Sequence, residues 1–152
     1  MAEVDAIRLR EAFGADAGCL PDGRVVDSGA RDWLEILRVI DEAGWPATWN
    51  SDHTVAELGH FGLPAREHDS FAVRPGTGLQ INFFFSTTTE VLFDINLREL
   101  NDQASVDLMC DVVRRIGQAL DKDVVVSQEG SWEQIVLRYE HALDRFTLGA
   151  ST

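Results

Sequence analysis

The most regular pattern in the chain begins after Asn101. Val106, Met109, Cys110, Val113, Ile116, Gly117 and Leu120 recur at helical spacing and mark one stripe of an α-helix. Asn101 or Asp102 supplies its start. The stripe is a core face, in which each large side chain buried contributes about 1.5–3 kcal/mol. A second helix is predicted over Arg31–Ala43, where Trp33, Ile36, Leu37, Ile40 and Ala43 share a side. Asp27 or Ser28 is positioned to cap it, Gly44 suits its C-terminus, and Pro46 forbids continuation. A third, short helix is expected within residues 1–13, with Val4, Ile7 and Phe13 inward and Gly14 as its stop. Thr54 and Glu57 have capping-box spacing, which predicts a further turn of helix to Leu58.

Alternation takes over in the second half. Leu79–Phe85 and Val91–Leu97 read as a β-hairpin, and Asp123–Ser127 with Gln134–Tyr139 as another. Shorter strands are expected at Arg24–Val26, Thr48–Asn50 and Phe71–Val73. The stretches Ala15–Gly29 and Gly59–Gly78 are otherwise loop-like, being rich in Gly, Asp and Pro. Hairpins with helices gathered to one side predict an α+β fold of two layers. Its sheet should be mainly antiparallel, with four to six strands and helices packed on one face. The 152 residues fit one globular domain, with residues 1–30 and 142–152 expected to pack loosely.

The first hairpin fixes its own register. Leu79, Ile81, Phe83 and Phe85 share one face of the first strand, and Val91, Phe93, Ile95 and Leu97 one face of the second. Directly opposed residues of an antiparallel pair point the same way. Matching the apolar sets therefore sets Phe83 opposite Phe93, Ile81 opposite Ile95 and Leu79 opposite Leu97. Gln80, Asn82, Phe84, Leu92, Asp94 and Asn96 then fall on the other face, with Asn82 opposite Asp94 and Phe84 opposite Leu92. With the long helix covering the first face, Phe84 and Leu92 form an apolar pair on the second, which suggests contact with a partner.

Charge narrows the classes of partner. With 26 Asp and Glu against 13 Lys and Arg, the net charge is −13. Nucleic acid and anionic membranes repel such a chain, and a basic protein attracts it. No run approaches a membrane span, and the acidic N-terminus lacks the apolar core of a signal peptide. Cys19 and Cys110 form no CxxC pair and suit a reducing compartment, so cytoplasm is the expected location. Lys122 is the single lysine among the basic residues, a bias expected of a GC-rich bacterial genome.

Candidate chemistry is sparse. His53, His60 and His68 occupy one loop-rich stretch, but their spacings match no zinc signature and no metal is expected. Arg74–Gly78 leads into a strand rather than a helix and lacks a Walker lysine, so it reads as a turn. Acid pairs such as Asp52 with Asp69 carry no specificity, no GxSxG elbow is present, and neither a catalytic residue nor a cofactor is assigned.

The reading is of a small acidic protein-binding domain, leaning away from an enzyme. Its expected contact residues are Asn82, Phe84, Leu92, Asp94 and Asn96. Immunity and inhibitor proteins that neutralise basic toxins share this general profile of size, charge and mixed structure, without a shared motif. The alternative is a small-molecule-binding or enzymatic domain with Trp45, Trp49, His53, His60 and His68 around a pocket between the sheet and the 45–68 segment. A homodimer through Phe84 and Leu92 is a third expectation.

Overall fold

One row of side chains crosses the whole sheet. Trp49, Phe71, Phe83, Phe93, Gly23, Val126, Leu137 and Leu148 are successive cross-strand neighbours. They belong to eight strands of a computed structural model that describes residues 3–14, 20–50, 70–84 and 90–149. The elements are α1 (Ala6–Phe13), β1 (Asp22–Val25), α2 (Asp32–Ala43), β2 (Ala47–Trp49), β3 (Ser70–Gly76), β4 (Leu79–Phe84), β5 (Leu92–Ile95), α3 (Gln103–Leu120), β6 (Val124–Gln128), β7 (Ser131–Glu140) and β8 (Arg145–Leu148). A single turn of 3₁₀ helix, Leu97–Glu99, follows β5. The strands form one antiparallel sheet in the order β2-β3-β4-β5-β1-β6-β7-β8.

The fold is α+β as the pattern predicts, with more strands than the four to six expected. The additional strands come from segments with weak signals. β1 is a central strand, inserted between β5 and β6, although it lies in a stretch that reads mostly as loop. The first 30 residues, expected to pack loosely, supply this strand and the buried Leu9 and Phe13 of α1. Ile7, expected inward, is 69% exposed, and Leu9 takes its place in the core. The segment from residue 142, also expected to pack loosely, contributes edge strand β8.

All three helices lie against the face that carries the long row. Trp33 of α2 meets Phe71 and Phe83 edge-on at 6.5 and 6.4 Å, and Phe71 stacks on Phe83 at 5.3 Å. Edge-to-face and offset aromatic pairs contribute beyond the area they bury. α3 adds Val106, Met109, Cys110, Val113 and Ile116, all buried. The row narrows at Gly23 because the Phe93 ring stands over it, with ring carbons 2.2 Å from where a Cβ would lie.

The helix ends are built locally. Asp102 caps α3 by accepting from Ser105 N, and Ser105 Oγ accepts in return from Asp102 N. No side chain caps α2: Asp32 of its own first turn accepts from Gly29 N, while Ser28, a predicted cap, bridges Val25 O and Val91 N. Gly44 closes α2 at φ +71°, where other residues strain. Lys122 joins the two helices, its Nζ reaching Asp32 Oδ2 at 2.7 Å and Asp27 O at 2.9 Å. Among the described residues, no helix is long and apolar enough to cross a membrane.

Candidate functional site

The other face of the sheet carries none of the described helices. The hairpin register places its residues as the alternation predicts: Asn82 opposite Asp94, Phe84 opposite Leu92, and Phe83 opposite Phe93 on the covered side. Leu79 does not pair with Leu97, because β5 stops at Ile95 and Leu97 enters the 3₁₀ turn. Asn96 lies beyond the strand end, where its side chain accepts from Arg98 N and caps that turn. It is thereby occupied in structure.

Two parallel rows cross the open face. The first runs Ser70–Phe84–Leu92–Arg24–Val125–Arg138, and the second runs Ala72–Asn82–Asp94–Asp22–Ser127–Ile135. At the β3–β4 end the polar groups satisfy one another. Arg74 donates to Thr48 Oγ1 and Gln80 Oε1, Gln80 donates to Asn82 Oδ1, and Asn82 donates to Asp94 Oδ1 at 2.9 Å. Arg138 is likewise taken up, donating to Asp123 at 2.9 Å.

Asp94 is 8% exposed. Burial raises its carboxyl above the ordinary carboxylate range; the Asn82 hydrogen bond pulls it down, and the charges of Asp22 and Glu129 push it up. Asp22 stands directly opposite it on β1, a like-charge juxtaposition that costs stability in a sheet.

Beside Leu92 the face opens into a cavity of about 410 Å³ lined by Arg24, Glu90, Leu92, Trp132, Glu133 and Ile135. Three segments converge there: Arg24 comes from β1, Leu92 from the start of β5 with Glu90 two residues before it, and the rest from β7. The Arg24 guanidinium lies over the Trp132 ring at 6.0 Å, while its Nε is buried without a hydrogen-bond partner. Trp132 itself is 39% exposed. Glu90 and Glu133 are exposed, and none of the three charged groups lining the cavity is ion-paired among the described residues.

The alternative pocket divides differently. Trp49 is 8% exposed and packs edge-on to Phe71 on the helix side, and Trp45 lies beneath the Arg115 guanidinium of α3. Both are thus on the opposite side of the sheet from Phe84 and Leu92. His53, His60 and His68, the Asp52–Asp69 pair, the helix expected at 54–58, Phe85 and Cys19 lie outside the described residues. Cys110 is buried, and burial pushes its thiol up to about 12, away from nucleophilic chemistry at neutral pH. Among the described residues no cluster of His, Cys, Asp and Glu is arranged to hold a metal.

The sequence pattern alone does not bring Arg24, Glu90, Trp132, Glu133 and Ile135 together with Leu92. The missing information was the place of β1. Once Gly23 and Val25 are seen to alternate inward, Arg24 must face outward beside Leu92. Comparison of the chain with protein-family models, with curated proteins and with solved structures finds no match.

Proposed function

We propose that the open face of the sheet binds a basic protein, with Phe84 and Leu92 as the apolar centre and acidic side chains around them, in the manner of an immunity or inhibitor protein. The observation that carries this reading is the partly exposed apolar pair on a face that carries none of the described helices, in a neighbourhood of five carboxylates and one arginine. The carboxylates are Asp22, Glu90, Asp94, Glu129 and Glu133, and the arginine is Arg24. An apolar centre with an excess of negative charge around it is the anatomy of a surface that recruits by electrostatic steering and holds by desolvated contact.

The roles follow from exposure. Buried Asp94, hydrogen-bonded to Asn82, sets local potential, whereas exposed Glu90 and Glu133 form the rim. The net charge of −13 adds a long-range field of the same sign. The test is recovery of the partner from the native cell, followed by binding kinetics of wild type and Phe84→Ala at two salt concentrations. Phe84→Ala weakens binding by about 1–3 kcal/mol, mainly through faster dissociation. Salt slows association as the Debye length shrinks toward about 8 Å. Equal affinities for the two folded proteins would remove this face from the interface.

A further inference from the structure

The cavity beside Leu92 differs from the rest of the open face. Elsewhere the polar side chains are joined to one another; here three charges line one space without meeting. Its walls are apolar at Leu92, Ile135 and Trp132, and its mouth carries Glu90 and Glu133. Arg24 already occupies a position over the Trp132 ring and so holds the indole in place, while part of that indole remains exposed. A group that fits needs an apolar stem and a cationic head. The stem lies along leucine, isoleucine and indole, and the head reaches two carboxylates whose charge nothing in the described chain neutralises.

We propose that this cavity receives an arginine side chain of the basic partner, its guanidinium stacked on the exposed part of Trp132 and bridged to Glu90 and Glu133. This rests on the reading of the open face as a protein-binding surface, and it names the anchor of that surface. Arginine is favoured over lysine because its planar head stacks on an aromatic ring and binds carboxylates in bidentate fashion. Charge complementarity argues in the same direction, since two glutamates face one arginine in the cavity and the surroundings add Asp22, Asp94 and Glu129. Arg24 is then a positioning residue: its repulsion of the incoming cation is offset by the carboxylates, and its contact fixes the ring.

The experiment titrates the full chain with a capped tri-arginine peptide while the indole N–H signal of Trp132 is followed by nuclear magnetic resonance, assigned by its absence in Trp132→Phe. A capped tri-citrulline peptide, of the same shape and uncharged, is the control. The Trp132 signal shifts saturably with tri-arginine and not with tri-citrulline. The double variant Glu90→Gln/Glu133→Gln, altered only at exposed positions, raises the dissociation constant about threefold to tenfold, the effect of losing two exposed charge contacts. An unmoved Trp132 signal, an equal response to tri-citrulline, or an unchanged constant in the double variant would overturn the proposal. The broader reading has its own readout in the partner's dissociation rate from Phe84→Ala. A cavity that ignores tri-arginine while Phe84→Ala still weakens the partner sinks the anchor alone. Saturable tri-arginine binding with partner affinity unaffected by Phe84→Ala keeps the cavity and sinks the Phe84-centred surface.

Discussion

Phe83 and Phe84 are neighbours in β4 and belong to opposite sides of one sheet. Phe83 is wholly buried, with Phe71, Phe93 and Trp33 around its ring. Phe84 is partly exposed, with Ser70 on one flank and Leu92 on the other. The covered face is a continuous apolar row, and each member is explained by the helices above it. The open face is a mixed surface whose polar end is internally satisfied; Ala72 and Val125 are buried on it, whereas Phe84 and Leu92 stay partly exposed and Arg24, Glu90 and Glu133 are not ion-paired among the described residues. The same side-chain type, one residue apart, thus serves stability on one side and is free to serve recognition on the other.

The harshest challenge to that division is a charge placed in the covered layer. Ile116 is 1% exposed on α3, and Ile116→Asp buries a carboxylate with no partner. The expected loss is about 4 kcal/mol or more, read as a large drop in the denaturation midpoint. An unchanged midpoint would take α3 out of the core.

The matched pair comes next. Phe83→Ala lowers stability by about 3–5 kcal/mol, as for other aromatic truncations in packed cores. Phe84→Ala lowers it by about 1 kcal/mol or less, since its ring already meets water. Denaturation curves for the two variants measure the difference directly. Equal losses would show that Phe84 is a core residue and that the two faces do not differ in kind.

Gly23 tests the covered face where the Phe93 ring lies over the neighbouring strand. A methyl group there meets the Phe93 ring, and Phe93 is itself 2% exposed, with little room to withdraw. Gly23→Ala should cost about 1–3 kcal/mol through overpacking. A neutral result would mean that the ring can turn aside, and the row would be looser than its contacts imply.

The two faces also differ in how much of them was legible in the sequence. The β4–β5 register could be read because strict alternation leaves one pairing in which both apolar sets coincide, and α3 because its stripe is long and well capped. β1 could be read only as a short strand at Arg24–Val26, and its central place in the sheet could not. It has four residues, two of them Asp22 and Gly23, and its pairing partners, Leu92–Asp94 and Val124–Ser127, lie far along the chain. β8 is an edge strand of four residues, and although Arg145-Phe146-Thr147-Leu148 alternates, so short a run is a weak strand signal. The candidate site inherits both outcomes. Phe84 and Leu92 follow from the hairpin alone, while the Arg24–Trp132 cavity requires β1 to lie between β5 and β6 and β7 to come alongside, information that only tertiary structure holds.

The smallest effect separates the faces by the sign of a pH response. On the covered side Tyr139 Oη donates to Asp144 at 2.7 Å, and Arg114 adds a second bond at 3.0 Å. These contacts hold the Asp144 carboxyl below the ordinary carboxylate range. A carboxyl lowered in the folded state contributes stability above its unfolded value, near 3.9, and that contribution is lost as pH falls through the folded value. Asp94 on the open face is shifted the other way, chiefly by burial. The folded protein then holds the Asp94 proton more tightly than the unfolded chain does. Its ionisation destabilises the fold as pH rises from the unfolded value through the folded one. Asp94→Asn removes that penalty and keeps an acceptor for Asn82, so the variant is more stable than wild type at neutral pH, with the gap closing on acidification toward pH ~3. Asp144→Asn behaves oppositely, being less stable at neutral pH and converging with wild type in acid. Denaturation midpoints measured for both variants across this pH range decide the matter. A neutral-pH loss of stability in Asp94→Asn would mean that the fold holds the charge of Asp94 favourably, and the two carboxyls would then not differ in the sign of their response.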